Sequence, residues 1–218
     1  MDLLAGFIFD MDGVIVDSNP FHRIALQQFC RAHGFDLTDK QLQEKIYGRT
    51  NRDWIVNLFG NLPEETLNRY ADEKEALYRK IYANDIMPVP GLIPFLEKLD
   101  SYDLPRAIAT SAPAANVDFT LSKTGTQKFF SIILDDKDIV VGKPNPEIYL
   151  KTAASLKIPP DQCLVFEDSF SGVSAARAAG CKVIGITTTH SADELASVDI
   201  AIENFVGLDP KILVSKLF

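Results

Sequence analysis

Residues 5–17 read AGFIFDMDGVIVD, and the architecture predicted for the whole chain starts from them. A short apolar run, as in a buried β-strand, leads directly into Asp10 and Asp12, and Gly13 then lets the chain turn. Two carboxylates two residues apart at the end of an extended segment point into the same space. A cation between them relieves their repulsion, and hard oxygen ligands suit Mg²⁺. An ordinary acidic turn is the alternative, so this segment alone leaves the question open.

Short apolar runs recur along the chain, and most are followed by a segment with helical periodicity. The predicted strands cover residues 5–9, 106–110, 131–134, 163–166, 182–186 and 199–202. The predicted helices cover residues 92–99, 114–124, 146–156 and 172–179, and one more helix closes the tail after residue 207. This alternation predicts an α/β fold with a Rossmann-like parallel sheet, in which ligands bind beyond the carboxyl ends of the strands.

Residues 18–87 show a different pattern, because the sequence there favours helices alone. The segments with amphipathic periodicity are 21–33, 39–46, 52–59 and 64–82. Prolines at positions 88 and 90 mark the return to strand–helix order. We therefore predict a core domain formed by residues 1–17 and 88–218, with an inserted all-helical cap domain at residues 18–87.

Composition excludes several classes of protein. The 218 residues are 46% hydrophobic and 24% charged, which is typical of a globular protein and excludes global disorder. The net charge of −8 disfavours nucleic acid and anionic membranes as partners. With a first basic residue at Arg23 and no apolar run of membrane-spanning length, we expect no signal peptide and no membrane segment. Three widely spaced cysteines fit reduced thiols in a cytoplasmic protein, and the sequence is compatible with a monomer.

Three further motifs each follow a predicted strand. In IATSA at residues 108–112, Thr110 and Ser111 offer hydroxyls and backbone amides to phosphate oxygens, although a helix cap is an equal alternative. In GKPNP at residues 142–146, the turn residues around Lys143 fix its backbone, which an ordinary solvated lysine does not require. In VFEDSFSG at residues 165–172, Glu167 and Asp168 again place acids at a strand end.

These four motifs, in this order, resemble those of the haloacid dehalogenase superfamily of phosphotransferases. The helical insertion after the first motif is similar to the cap of its beta-phosphoglucomutase-like branch, and the resemblance covers essentially the whole chain. It implies an enzyme in which Asp10 is the nucleophile and Asp12 the general acid and base. It also implies Mg²⁺ held by the carboxylates of Asp10 and Asp168 and the main-chain carbonyl of Asp12, with Glu167 in or next to the ligand shell.

The resemblance implies that residues of the other two motifs bind the phosphate. Lys143 is expected to pair with Asp10 and with the transferred phosphate. The hydroxyl of Thr110 and the backbone amides of Ser111 and Ala112 are expected to bind the remaining phosphate oxygens. By this assignment Thr110 and Lys143 belong to the catalytic set, and Ser111 and Ala112 to the substrate-binding set.

Five cap residues are candidates for contact with the rest of the substrate. His22 and Lys80 fall where beta-phosphoglucomutase, called the mutase below, has a histidine and a phosphate-contacting lysine. Each of the two residues also fits a solvated helix face. Gly48 and Arg49 belong to the cap loop, which in the mutase places an arginine at the position of Asn51 here. The mutase uses that arginine to bind a second phosphate, so its replacement weakens the mutase assignment.

The leading hypothesis is a Mg²⁺-dependent phosphatase that hydrolyses a small organic phosphate monoester, such as a sugar phosphate, through an aspartyl-phosphate. An aspartate at position 12 favours rapid turnover, since the family's ATPases carry threonine there. The alternative is beta-phosphoglucomutase, but Pro113 stands where the mutase has a further lysine. A catalytically silent binding module is the third hypothesis, and it is disfavoured because Asp10, Asp12 and Lys143 are all present.

Overall fold

The computed structural model describes residues 5–46 and 50–218. Two of the predicted cap-loop residues, Gly48 and Arg49, lie outside the described residues. The chain forms two compact units, one from Met1–Asp17 and Ile86–Phe218 and the other from Ser18–Asp85. The chain therefore returns to the first unit at Ile86, two residues before the boundary expected from the prolines.

In the described residues the first unit contains a parallel sheet. Its strands are β1 (Gly6–Phe9), β2 (Arg106–Ala109), β3 (Ile133–Leu134), β4 (Cys163–Glu167), β5 (Lys182–Ile186) and β6 (Ile200–Ile202), in the spatial order β3-β2-β1-β4-β5-β6. Every neighbouring pair is parallel. The chain order reverses between β1 and β4, and such a reversal opens a crevice at the carboxyl ends of the strands. The predicted α/β fold with a Rossmann-like parallel sheet is confirmed.

The helices divide between the two units. The second unit contains α1 (Asn19–Ala32), α2 (Asp39–Lys45), α3 (Asn51–Phe59) and α4 (Glu64–Tyr82); the first contains α5 (Leu92–Ser101), α6 (Ala114–Thr124), α7 (Glu147–Leu156), α8 (Phe170–Ala178) and α9 (Pro210–Leu217). Among the described helices, none is both long enough and apolar enough to cross a lipid bilayer. In the second unit Leu26, Phe29 and Trp54 belong to one buried apolar cluster.

Both faces of the sheet are buried, so β1 is apolar at every position rather than alternating. Its Phe9 stacks on Phe166 of β4 with ring centroids 4.7 Å apart, while Phe95 meets both rings edge-on from α5. Ile8, on the opposite face, packs in a cluster with Val165 and other aliphatic residues. The ends of β1 and β4 are therefore held by tight packing on both sides.

Two element boundaries differ from prediction in ways that affect the site. β4 extends through Glu167, so this carboxylate is the last residue of a buried strand and does not lie in the following loop. α8 begins at Phe170 rather than at residue 172, because the hydroxyl of Ser169 accepts a hydrogen bond from the backbone N–H of Gly172 and caps the helix.

Candidate active site

The turn after β1 is built around Asp10 and Gly13. The backbone N–H of Asp10 donates to the carbonyl of Phe166 at 3.0 Å, which ties the end of β1 to β4. The chain then reverses, with the N–H of Gly13 donating to the carbonyl of Val16 at 2.7 Å. Asp10 is 7% exposed, so its side chain is almost completely buried at the edge of the sheet.

Gly13 is required at its position for two reasons. Its φ of +81° lies in the left-handed region that side chains rarely adopt. A Cβ at this position would also overlap the carboxyl group of Asp168, which packs directly against the glycine. The first and fourth motifs are thus in contact, as expected for two neighbouring strand ends.

Lys143 joins the ends of three strands through its ammonium group. Its Nζ lies 2.6 Å from Oδ1 of Asp10 and 2.6 Å from Oε1 of Glu167, and it also donates to the carbonyl of Ala109 at 3.3 Å. Its Nζ lies 5.0 Å from the centre of the Tyr149 ring, which forms part of its surroundings. The side chain is 7% exposed, so the lysine is not a solvated surface residue.

Glu167 accepts hydrogen bonds on both carboxylate oxygens. Oε1 accepts from Lys143 and, at 2.8 Å, from the hydroxyl of Tyr149. Oε2 accepts from the backbone N–H of Asp168 at 2.9 Å and from the N–H and hydroxyl of Ser169 at 3.0 Å each. These donors fix the orientation of the carboxylate. Tyr149 was missed by the sequence analysis because an aromatic residue in an amphipathic helix is usually only part of the core.

The charges of the cluster do not balance without a further cation. Burial raises the pKa of Asp10 well above its usual range, and the charges of Glu167 and Asp168 raise it further against the opposing effect of Lys143. Burial also raises the pKa of Asp168 to about 7, helped by the charges of Glu167 and Asp12. The pKa of Glu167 is lowered despite its burial, because Lys143 lies beside it. One carboxylate is therefore compensated by the lysine, and two others are forced towards the neutral form.

This arrangement fits a divalent metal ion. Carboxylate oxygens of Asp10, Glu167 and Asp168 lie within 4.8 Å of one another, a spacing that would allow them to share one cation. Oxygen ligands and an uncompensated negative charge are the properties that Mg²⁺ sites require. Asp12 is half-buried and lies close enough for its charge to raise the pKa of Asp168.

The hydroxyl motif after β2 lies at the same edge of the sheet. Thr110 is 1% exposed, and its Oγ1 accepts a hydrogen bond from the backbone N–H of Ala112 at 3.1 Å. Ser111 between them is exposed. The backbone N–H of Ala112, which the resemblance assigns to a phosphate oxygen, donates to Thr110 in this structure and so orients the Thr110 hydroxyl.

We expect Gly172→Ala to destabilise the protein by about 1–3 kcal/mol, although alanine normally stabilises a helix relative to glycine. A Cβ at this position would overlap the carboxyl group of Glu167, which is buried and held by its five donors. Urea unfolding of the variant measures the effect, with Ser171→Ala in the same helix as the control. An unchanged or increased free energy of unfolding would show that the carboxylate is free to move aside.

In the second unit, His22 is the centre of a polar cluster. Its ring stacks on Tyr78 with centroids 3.7 Å apart, and its Nδ1 lies 3.0 Å from Nζ of Lys74. Lys74 also donates to Oε1 of Glu75 at 2.8 Å, and the amide of Asn51 donates to the same oxygen at 2.9 Å. Although burial acts in the opposite direction, the charges of Lys74 and His22 lower the pKa of Glu75.

The lysine beside His22 is thus Lys74, whereas the candidate from the sequence, Lys80, is exposed on the same helix. Helical geometry explains the difference. Lys74 precedes Tyr78 by four residues and shares its face of α4, while Lys80 follows Tyr78 by two residues and is rotated by about 200°. The helical phase of Tyr78 therefore indicates Lys74.

A family model described as haloacid dehalogenase-like hydrolase matches residues 7–186. The chain belongs to this family. The match includes all four motifs, and it confirms both the resemblance and the prediction that the protein is an enzyme. The nucleophile candidate and the acidic pair come from the ends of β1 and β4, and the lysine comes from the loop between β3 and α7.

Similar proteins include phosphatases and a mutase of this family. A phosphorylated carbohydrates phosphatase of Thermotoga maritima is 31% identical over 178 residues, covering 81% of this chain and 82% of that protein. A haloacid dehalogenase hydrolase of family IA, variant 3, from Entamoeba histolytica has a TM-score of 0.90 at 31% identity, covering 98% and 99% of the two chains. A beta-phosphoglucomutase from Clostridium difficile has a TM-score of 0.83 at 26% identity, covering 98% and 97%.

Proposed function

We propose that this protein is a Mg²⁺-dependent phosphatase that hydrolyses a small phosphorylated carbohydrate or a similar phosphate monoester. The main support for this proposal is the position of the Lys143 ammonium group, which lies 2.6 Å from both Asp10 and Glu167 at the edge of the sheet. Together with Asp12, Asp168 and the buried Thr110, it forms a compact site for a phosphoryl group. The 31% identity to a phosphatase of phosphorylated carbohydrates supports this substrate class.

In the proposed reaction, the Asp10 carboxylate attacks phosphorus and the bond to the leaving oxygen breaks. Asp12 gives its proton to that oxygen, so the alcohol leaves as a neutral molecule. Asp12 then takes a proton from water, which attacks the aspartyl-phosphate and releases inorganic phosphate. Both carboxyl groups return to their starting states, and the covalent step divides one difficult displacement into two easier ones.

The remaining groups hold and stabilise the phosphoryl group. Lys143 is fixed by Asp10 and Glu167, so its positive charge is already in place when negative charge develops on the phosphate oxygens. Thr110 and the amide of Ser111 would bind the other oxygens. Mg²⁺, held by Asp10, Asp168 and the carbonyl of Asp12, would reduce the repulsion between the anionic nucleophile and the anionic substrate. The five hydrogen bonds to Glu167 favour a place for this carboxylate next to the metal ligands.

Mg²⁺ binding is expected to strengthen as the pH rises from about 6 to about 8, because the pKa of Asp168 is raised by burial to about 7. Below that pH a proton occupies the carboxylate and competes with the metal. In the absence of metal, a raised carboxyl pKa means that stability falls as the pH rises from the ordinary carboxyl range to about 7. The Mg²⁺-induced rise in unfolding temperature should therefore be larger at about pH 8 than at about pH 6.

The control for this measurement is Asp168→Asn, in which the difference between the two pH values should largely disappear. A Mg²⁺-induced shift that is larger at the lower pH would contradict the assignment of Asp168 as a ligand.

The second candidate function is that of beta-phosphoglucomutase, favoured by the similarity to the enzyme from Clostridium difficile. Against it, Asn51 stands where the mutase carries the arginine for a second phosphate, and its amide donates to Glu75. The positive charge of Lys74 in the same cluster is compensated by Glu75. A cluster with this charge balance is poorly suited to a bisphosphate.

One assay separates the two functions. Beta-glucose 1-phosphate is supplied with Mg²⁺ and a trace of the sugar bisphosphate, and the products are analysed. Free phosphate without the isomer supports the phosphatase, whereas glucose 6-phosphate would refute it in favour of the mutase. If neither product forms, a panel of sugar and sugar-alcohol phosphates is tested, and release from none of them would refute both.

A further inference from the structure

The loop after β5 reaches the site although no sequence motif pointed to it. It carries three consecutive threonines, Thr187, Thr188 and Thr189. The first of them anchors the loop to the sheet, because its backbone N–H donates to the carbonyl of Ile202 in β6 at 2.9 Å. The backbone at Thr187 is therefore fixed, and Thr188 and Thr189 follow it directly.

The hydroxyls of these two threonines bind two residues that are in contact with each other, Gly13 and Asp168. Thr188 donates to the carbonyl of Gly13 at 2.6 Å, and Thr189 donates to Oδ2 of Asp168. Gly13 and Asp168 pack so closely that a Cβ on the glycine would overlap the carboxyl group. One loop thus holds both the turn that carries Asp12 and the carboxylate at the end of β4.

We propose that Thr189 is a positioning residue for the Mg²⁺ site and acts by restraining Asp168. This inference rests on the proposed function, since Mg²⁺ is the cation that the site is proposed to hold. A carboxylate on a single Cβ can rotate about two bonds, and a hydrogen bond to one of its oxygens removes that freedom before the metal arrives. Partners of this kind fix metal ligands in many sites, and their loss typically weakens metal binding about 10- to 100-fold.

The hydroxyl can be removed without disturbing the core. Thr189 is exposed, so Thr189→Val keeps the branched shape at a surface position and replaces the hydroxyl by a methyl group. Thr189→Ser keeps the donor and deletes the methyl group. Ser155→Ala is the matched control in the same unit, because Ser155 is also exposed and its hydroxyl donates to the carbonyl of Lys151 at 2.9 Å within α7.

Isothermal titration calorimetry with Mg²⁺ measures the dissociation constant in the four proteins. We expect a roughly 10-fold higher constant for Thr189→Val, and values within about threefold of the wild type for Thr189→Ser and Ser155→Ala. The Mg²⁺ concentration for half-maximal phosphate release should rise in parallel in Thr189→Val. Its kcat at saturating Mg²⁺ should fall by less than about threefold, since the chemical groups are unchanged.

Two results would overturn this inference without affecting the proposed function. The first is Mg²⁺ binding by Thr189→Val equal to that of the wild type, and the second is an equal loss of Mg²⁺ affinity in the valine and serine variants. The first would leave Thr189 as a purely structural residue, and the second would assign the effect to the methyl group. Absence of Mg²⁺ binding by the folded wild-type protein would overturn both the inference and the metal dependence of the proposed function.

Discussion

Asp10→Asn is expected to lower kcat/KM for phosphate release by about four to six orders of magnitude. The amide keeps the size of the side chain but is a poor nucleophile, so no aspartyl-phosphate forms. The variant should also fold well, because Asp10 is buried with a strongly raised pKa and a neutral group at this position avoids the cost of burying a charge. Steady-state phosphate release with saturating Mg²⁺ measures the loss.

The control for this variant is the unfolding midpoint in urea, which should be equal to or higher than that of the wild type. Asp10→Asn protein that retains more than about one hundredth of the wild-type rate would exclude Asp10 as the nucleophile. The Asp10→Asn protein also serves as the blank in a substrate panel. Any phosphate that it releases there comes from a contaminating enzyme or from a mechanism that does not use Asp10.

Lys143→Met is expected to lower kcat by about 10²- to 10³-fold and to change KM by less than about fivefold. The charge of Lys143 is held in place by Asp10 and Glu167, so it contributes most when charge develops on the phosphoryl group. The charges of Asp10 and Glu167 keep the pKa of Lys143 well above its usual range despite its burial, so the group stays an ammonium at any pH used for the assay.

Lys151→Met is the matched control, because Lys151 is 47% exposed and pairs with Glu147 on the surface of α7. Its kinetics should be unchanged. Removal of Lys143 leaves two buried carboxylates without their partner, so the unfolding midpoint is measured with Mg²⁺ present. Equal proportional losses in kcat and in substrate affinity would contradict a role that is specific to the transition state.

The sheet and the strand-end motifs could be predicted because each rests on local pattern. The apolar runs that end at Asp10 and at Glu167 predict buried parallel strands, and the carboxyl ends of such strands lie at one edge of the sheet. The close contact between Gly13 and Asp168 depends on tertiary packing, so only the need for a turn at Gly13 could be read from the sequence.

Other parts of the site depend on side chains whose local pattern suggests something else. Tyr149 has the pattern of a core residue, yet its hydroxyl binds Glu167. Thr187 directly follows β5 as Thr110 follows β2, but the threonine that binds Asp168 is Thr189, two residues further on, so the pattern alone does not select it. Lys80 was chosen by its place in the mutase pattern, whereas the helical phase of Tyr78 selects Lys74.

If Asp10 is the nucleophile, it accepts a phosphoryl group that can be trapped on its side chain. Acetyl phosphate is a suitable donor because acetate leaves without help from an acid, so Asp12→Asn should still be phosphorylated but lack the base for the second step. After incubation with Mg²⁺ and acid quenching, mass spectrometry should find one phosphoryl group on the peptide that contains Asp10, and none in Asp10→Asn. A phosphoryl group on another residue, or no adduct in either protein, would show that Asp10 is not the nucleophile.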